Sequence, residues 1–162
     1  MKRLFALCLS LCLGLPALAA GTVSTGDRLS GFSLADQHGA AGRIDEATTL
    51  LLFSRDMKAN KLAKQAFLPR PGSYLPTAHA AYAIDVSGMP RFVTNTFAIP
   101  KMQKYGYPIL LDREGNVTAS LPSQKGMVTL IHLDALKVTG VEYASSADAL
   151  TRAVDAAAAG KH

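Results

Sequence analysis

The sequence predicts an α/β fold, in which a central mixed β-sheet carries helices on both faces. From residue 48 to residue 111, short apolar runs typical of strands alternate with segments of helical periodicity. This alternation is typical of parallel strands joined by crossover helices. Two more strand-like runs then follow each other directly, which adds an antiparallel hairpin before a last helical segment.

Two strands and a helix are predicted in the first half of the chain. Residues 31–36 (GFSLAD) alternate apolar and polar side chains and lead into a turn, which is typical of a strand. Residues 48–53 (TTLLLF) form a continuous apolar run that suits a strand buried on both faces. From Met57 onward, apolar residues recur at helical spacing until a proline-rich segment. Ser54 or Asp56 can cap this helix, because a short oxygen side chain accepts hydrogen bonds from free backbone N–H groups.

The second half of the chain completes the predicted sheet. Residues 80–86 predict a strand, and a helical stretch with apolar Phe92, Val93 and Phe97 follows it, kinked or restarted by Pro100. The other predicted elements are strands at 108–111, 127–133 and 137–143 and a helix that starts at 145–148 and continues through Ala157. Because no repeat, low-complexity tract or long linker interrupts these elements, residues 21–162 are expected to form a single domain.

The first 20 residues have the three parts of a secretory signal peptide. A positive start (Met1–Arg3) precedes an uncharged apolar run at residues 4–15, and Pro16 and the small residues Ala17 and Ala19 follow. A membrane-spanning helix needs about 20 apolar residues, so this run is too short to span a bilayer. We therefore expect cleavage near residue 20, export to a bacterial periplasm, and no stable membrane anchor afterwards.

Cysteine use and charge exclude several functional classes from the processed chain. Both cysteines, Cys8 and Cys12, lie inside the predicted signal, so disulfides, thiolate catalysis and cysteine metal sites are not expected. The net charge is +5, and Lys2 and Arg3 supply two of these charges. No cluster of Lys and Arg with interleaved aromatic residues is present, so nucleic-acid binding is not expected. No phosphate-binding or dinucleotide motif occurs, and no cofactor is expected.

Histidine placement gives little support for a metal site. The chain has no pair of histidines at ligand spacing. His132 and Asp134 lie two apart on a predicted strand and therefore face the same side. We favour an ordinary hydrogen-bonded pair over a metal or acid–base pair at this place.

Three segments carry a resemblance to a known group of proteins. Residues 26–39 (GDRLSGFSLADQHG), 107–115 (YPILLDREG) and 125–134 (KGMVTLIHLD) follow one another in the order and spacing of the thioredoxin-like redoxins. The chain most resembles the cysteine-free periplasmic members of the YtfJ type. The resemblance implies a thioredoxin-like three-layer sandwich with a central mixed sheet.

The same resemblance implies that the redox chemistry has been lost. Redoxins carry a reactive Cys in the turn between the central strand and its helix, where the helix N-terminus lowers the thiol pKa. Here that turn, residues 53–60, has no Cys. A cis-proline precedes a later strand in the family, and Val128 stands at that position. Since a non-proline cis bond costs about 2.5–4 kcal/mol, we expect a remodelled groove. Tyr107–Pro108 is left open as cis or trans.

The candidate binding site is the former active edge, where a strand ends and a helix begins, the usual ligand position in α/β sheets. Free N–H groups and Arg55 would hold an anion or a peptide carboxylate there. The alternative, which we favour, is that Asp56 caps the helix and Arg55 is solvated. The candidate residues are Ser54, Arg55, Asp56, Met57, Lys58 and Val128.

These observations predict an exported, non-catalytic domain that binds a periplasmic protein, a peptide or a small ligand. One alternative is an enzyme with non-thiol chemistry that uses Arg55, Asp56 or His132 at the same edge. A redoxin-related antioxidant role at that edge is another alternative. A third alternative is a structural envelope partner without a pocket.

Overall fold

The computed structural model describes residues 21–160, so the predicted signal with Cys8 and Cys12 lies outside the described residues. Within these residues, seven strands and five α-helices alternate, and all except the strand Ala41–Ile44 and the short helix Tyr74–Thr77 lie in segments where the sequence predicts a strand or a helix. The strands are β1 (Phe32–Ala35), β2 (Ala41–Ile44), β3 (Leu50–Ser54), β4 (Ala80–Asp85), β5 (Leu110–Asp112), β6 (Val128–Asp134) and β7 (Lys137–Ala144). The helices are α1 (Met57–Phe67), α2 (Tyr74–Thr77), α3 (Arg91–Val93), α4 (Ile99–Met102) and α5 (Ala147–Ala159), with a π-helical turn, Thr94–Ala98, between α3 and α4.

Five strands form the central mixed sheet in the order β5-β4-β3-β6-β7. The β3–β4 and β4–β5 pairs are parallel, whereas β3–β6 and β6–β7 are antiparallel. Every residue of β3 (LLLFS) is buried, as its continuous apolar run predicts for a central strand. The predicted mixed sheet and its terminal hairpin are therefore confirmed.

One face of the sheet is covered by helices. Helix α1 packs small residues and Phe67 onto this face, and α5 adds Leu150 and Val154. Helices α2 and α4 join the same cluster through Leu75 and Ile99. Because the chain steps from β3 to β4 to β5 in one direction, right-handed crossovers place both connecting helices on one side of the sheet.

The opposite face, for which the sequence also predicts helices, is covered within the described residues by the N-terminal segment and by an antiparallel hairpin of β1 and β2. Leu29 and Ile44 pack there against Leu51, Phe53 and Ile131. Strand β2 was not predicted, because its sequence, AGRI, has small residues in place of a clear apolar alternation. Within the described part of the chain, no helix is long and apolar enough to cross a membrane.

The buried side chain of Gln37 connects the hairpin to the start of β5. Its Nε2 donates to the Tyr107 carbonyl at 2.8 Å, and its Oε1 accepts from the Ile109 N–H at 2.8 Å. The Gln37 side chain thus bonds the backbone on both sides of Pro108, as a neighbouring strand would, although Pro108 itself has no N–H to donate. All peptide bonds within residues 21–160 are trans, so Tyr107–Pro108 is trans here.

Candidate functional site

The six predicted candidate residues come together where β3 ends and α1 begins. Ser54 is the last residue of β3, and Met57 and Lys58 open α1. Phe53 pairs with Thr129 in the antiparallel β3–β6 ladder, so Val128 lies one position further along, beside Ser54. The predicted juxtaposition of Val128 with the β3–α1 turn is therefore present in the fold.

Asp56 is the N-cap of α1 and also holds the loop that precedes β6. Its Oδ1 accepts from the backbone N–H groups of Lys58 and Ala59, both at 3.0 Å, and its Oδ2 accepts from the Gly126 N–H at 2.8 Å. Burial raises the pKa of the Asp56 carboxyl, but these three donors and the charge of Lys125 leave the pKa below its ordinary value of 3.8. The carboxylate thus occupies the electropositive end of α1.

Gly126 is required at the other end of this contact. Its φ is +77°, in the left-handed region that glycine adopts without strain. A Cβ at this position would lie 2.9 Å from Cδ of Lys58, whose side chain covers the glycine. The contact between Asp56 and Gly126 therefore depends on backbone that only a glycine tolerates well.

Arg55 connects the loops that follow three neighbouring strands. Its Nη2 donates to the Thr118 carbonyl at 3.1 Å, beyond β5, and its Nε lies 3.5 Å from Oδ2 of Asp85, the last residue of β4. The guanidinium also lies over the Phe53 ring, 5.0 Å from its centroid. Arg55 is therefore held against the protein, whereas we expected a solvated side chain.

Two of the candidates are inaccessible. Val128 is fully buried, and Ser54 is 1% exposed. The Ser54 Oγ donates to Oδ1 of Asn60 and lies 2.7 Å from the Tyr82 hydroxyl, which also donates to Asn60 at 2.9 Å. Burial raises the pKa of Tyr82, so this phenol stays neutral and cannot act as a base for Ser54. The hydrogen bonds among Ser54, Asn60 and Tyr82 therefore hold β3, α1 and β4 together below the surface of the edge.

His132 lies at the other end of the sheet. On β6 it pairs with Leu50, the first residue of β3. Ser54, the last residue of β3, lies about 13 Å further along that strand at the usual rise per residue. Its Nε2 lies 3.4 Å from Oε1 of Glu142 on β7, so Glu142 replaces Asp134 as its nearest carboxylate. His132 therefore does not belong to the edge formed by Arg55 and Asp56. Among residues 21–160, no group of three His, Cys, Asp or Glu side chains is placed to hold a metal.

Large apolar side chains are exposed at this edge, which sequence reasoning did not anticipate. Met57 is 79% exposed after β3, and Phe92 is 70% exposed after β4. Val93, Phe97 and Val117 are also exposed in the segments that follow β4 and β5. The carboxyl ends of parallel strands lie at one edge of a sheet, so these segments all leave the sheet from that edge.

Comparison with solved structures shows the same fold in redox proteins. Peroxidoxin BcpB from Mycobacterium tuberculosis has a TM-score of 0.56 at 21% identity, over 86% of this chain and 98% of its own. A DsbE thiol:disulfide interchange protein described as putative, from Chlorobium tepidum, has a TM-score of 0.55 at 16% identity, over 85% and 99%. The exposed lipoprotein thioredoxin Etrx1 from Streptococcus pneumoniae has a TM-score of 0.55 at 14% identity, over 78% and 99%.

The chain has a thioredoxin-like fold, as the sequence resemblance implies. No family model matches the chain. No curated protein matches it in sequence either. At these identities the likeness to solved structures concerns the fold, and chemistry has to be argued from the residues of this chain.

We predict that Asp56→Ala lowers the free energy of unfolding by about 1–2 kcal/mol at pH 7, the usual cost of a lost N-cap. The folded pKa of Asp56 lies below 3.8, so its stabilisation is present above about pH 4 and is lost as the pH falls through the folded pKa. Urea unfolding of the variant and the parent protein from pH 7 down to pH 2 measures this difference.

The control for that experiment is Ser146→Ala, which removes the uncharged N-cap of α5. Its cost should not change with pH over the same range. A cost of Asp56→Ala that stays constant down to pH 2 would show that the carboxylate charge contributes nothing.

We also predict that Asp56→Cys gives a thiol with a pKa below the ordinary value of about 8.5, because the N–H groups of Lys58 and Ala59 then face the sulfur. Leu68→Cys is the matched control, since Leu68 is exposed and is the C-cap of the same helix, where the dipole opposes a thiolate. The rate of reaction with Ellman's reagent against pH gives both pKa values. Equal pKa values for the two thiols would contradict the prediction.

Proposed function

We propose that this chain is an exported thioredoxin-like domain that binds a partner without redox catalysis, through the edge formed by the β3–α1 junction. Asp56 and its three backbone donors carry the proposal. The resemblance to redoxins implies a thiolate at the N-terminus of this helix, whereas here a carboxylate accepts hydrogen bonds from the helix N–H groups. A carboxylate is a poor nucleophile beside a thiolate and passes no electrons to a disulfide.

The bonding of Arg55 and Asp56 favours a contact surface over an anion site. The N–H groups of Lys58 and Ala59 already bond to the Asp56 carboxylate, and the guanidinium of Arg55 contacts Asp85, Thr118 and Phe53. Met57 and Lys58, by contrast, are exposed at the start of the helix. An exposed methionine suits a protein or peptide partner better than a small ligand, because Met is enriched in protein interfaces.

Export and the finer family assignment belong to the same proposal. The first 20 residues have signal-peptide character, and the two cysteines of the chain lie within them. The processed chain would then be a cysteine-free periplasmic protein of the YtfJ type, comprising residues 21–162. Non-thiol catalysis at this edge has weaker support, because His132 lies at the far end of β3 and Ser54 has no base beside it.

We expect the processed protein to show no turnover above a buffer blank in insulin reduction with dithiothreitol or in peroxide consumption. The physical reason is the missing sulfur nucleophile in the β3–α1 turn. A bacterial thioredoxin and a peroxiredoxin serve as positive controls in the two assays. Turnover above the blank in either assay would contradict the non-redox proposal.

The binding part of the proposal predicts a contact at Met57 in intact cells. A photoreactive amino acid at position 57 should give a discrete cross-linked adduct, whereas the same probe at Glu46 should give none. Glu46 is a matched control because its side chain is 70% exposed but lies before β3, at the opposite edge of the sheet. Identical adducts at both positions, or none at position 57, would remove this edge as the interaction site.

A further inference from the structure

Charge is distributed very unevenly along this chain. Between Met57 and Leu111 there are seven Lys or Arg residues and a single acidic residue, Asp85. The other eleven acidic residues all lie outside this segment. The net charge of the whole chain is modest, but the segment 57–111, about a third of the chain, is strongly basic.

In the fold, the helices of this basic segment lie in one layer on one face of the sheet. Helices α1 and α4 pack into the same cluster on one face of the sheet, through Ala63 and Ile99 for example. Lys64 on α1 lies 5.4 Å from the ring centroid of Tyr105, just beyond α4, which brings the two segments into contact. The basic residues of this layer, which we call the basic helical layer, are Lys58, Lys61, Lys64, Arg70, Arg91, Lys101 and Lys104.

Most of these charges lack a counter-charge. Arg91 pairs with Glu114 at 2.9 Å. Within residues 21–160, the other six form no ion pair, and five of them are exposed, Lys64 being half-buried. On α1 the lysines recur every three residues and so form a stripe opposite the buried alanines. Such a surface attracts an extended anionic partner.

Large apolar side chains project from the same layer. Phe92 and Phe97 are mostly exposed, and their rings pack edge to face with centroids 6.0 Å apart. Phe92 precedes the π-helical turn Thr94–Ala98, and Phe97 lies within it. The turn buries Thr94, whereas both phenylalanines stay outside the core. Leu68 is exposed at the end of α1. Exposed Phe and Leu beside Lys are typical of surfaces that lie in a membrane interface. The nearby acidic residues are Glu114, which pairs with Arg91, and Asp148 and Asp155 on α5.

The kind of cation favours a lipid surface over a protein partner. Five of the seven basic residues are Lys, and Lys is depleted in protein–protein interfaces whereas Arg is enriched. Lysine clusters near a bilayer respond to anionic headgroups without needing a matched geometry. We infer that the basic helical layer binds reversibly to the surface of a membrane that contains anionic phospholipids, with Phe92 and Phe97 entering the interface.

The test is cosedimentation of the processed protein with vesicles of phosphatidylcholine mixed with phosphatidylglycerol, and with vesicles of phosphatidylcholine alone. We expect binding to the mixed vesicles only, weakened by salt. Lys61→Glu with Lys104→Glu should weaken binding at least about tenfold. The matched control, Arg43→Glu with Lys137→Glu, makes the same change in net charge at exposed positions outside the layer and should stay within about twofold. Thermal unfolding checks that each variant is folded.

A second pair of variants tests the apolar part of the contact. Phe92→Ala with Phe97→Ala should weaken binding to the mixed vesicles about tenfold at constant charge. Retention of full affinity by this variant would contradict insertion of the rings.

Three results would overturn the inference. These are absence of binding to mixed vesicles, equal binding to both kinds of vesicle, and equal losses for the two charge-reversal pairs. Polyglutamate and duplex DNA serve as alternative anionic partners, and binding to either of them without vesicle binding would assign the layer to a protein or to a nucleic acid. The redox and cross-linking assays use no vesicles, so failure of this inference is distinguishable from failure of the proposed function.

Discussion

The carboxylate of Asp56 is the contact on which the rest of this edge depends. One of its oxygens closes the start of α1, and the other holds Gly126 in the loop before β6. It thereby fixes two segments that are 70 residues apart in the chain. Because the carboxylate also neutralises the positive end of the helix, the N-terminus of α1 already carries a stable anion.

Arg55 extends this local arrangement to the neighbouring strands. It reaches Asp85 at the end of β4 and Thr118 beyond β5, while Asp112 accepts hydrogen bonds from the Thr118 backbone and hydroxyl. The carboxyl ends of the three parallel strands are thus connected by polar contacts that need no disulfide. No cysteine occurs among residues 21–160, so non-covalent contacts such as these hold the strand ends together.

Local patterns predicted the central elements well, because their signals lie within a few residues. The apolar run of β3, the oxygen side chain of Asp56 and the helical spacing after Met57 are each visible in the sequence alone. The partners of Arg55 were not predictable, since they depend on where β4 and β5 end relative to β3. Likewise, Phe97 is exposed in a π-helical turn, for which the sequence has no simple signal.

The topology of the chain brings basic residues from separate segments onto one face of the sheet. A net charge of +5 over the chain indicates ordinary solubility, and no short segment has the density of a basic motif. The two right-handed crossovers, however, place α1 and α4 on one face, where their cations become neighbours. The edge formed by the β3–α1 junction lies at the ends of the strands and adjoins the helical layer, because Lys58 belongs to both and Phe92 and Phe97 lie in the segment that follows β4. The two proposed contact surfaces are therefore neighbours, so a membrane bound to the layer would limit the directions from which a partner reaches Met57.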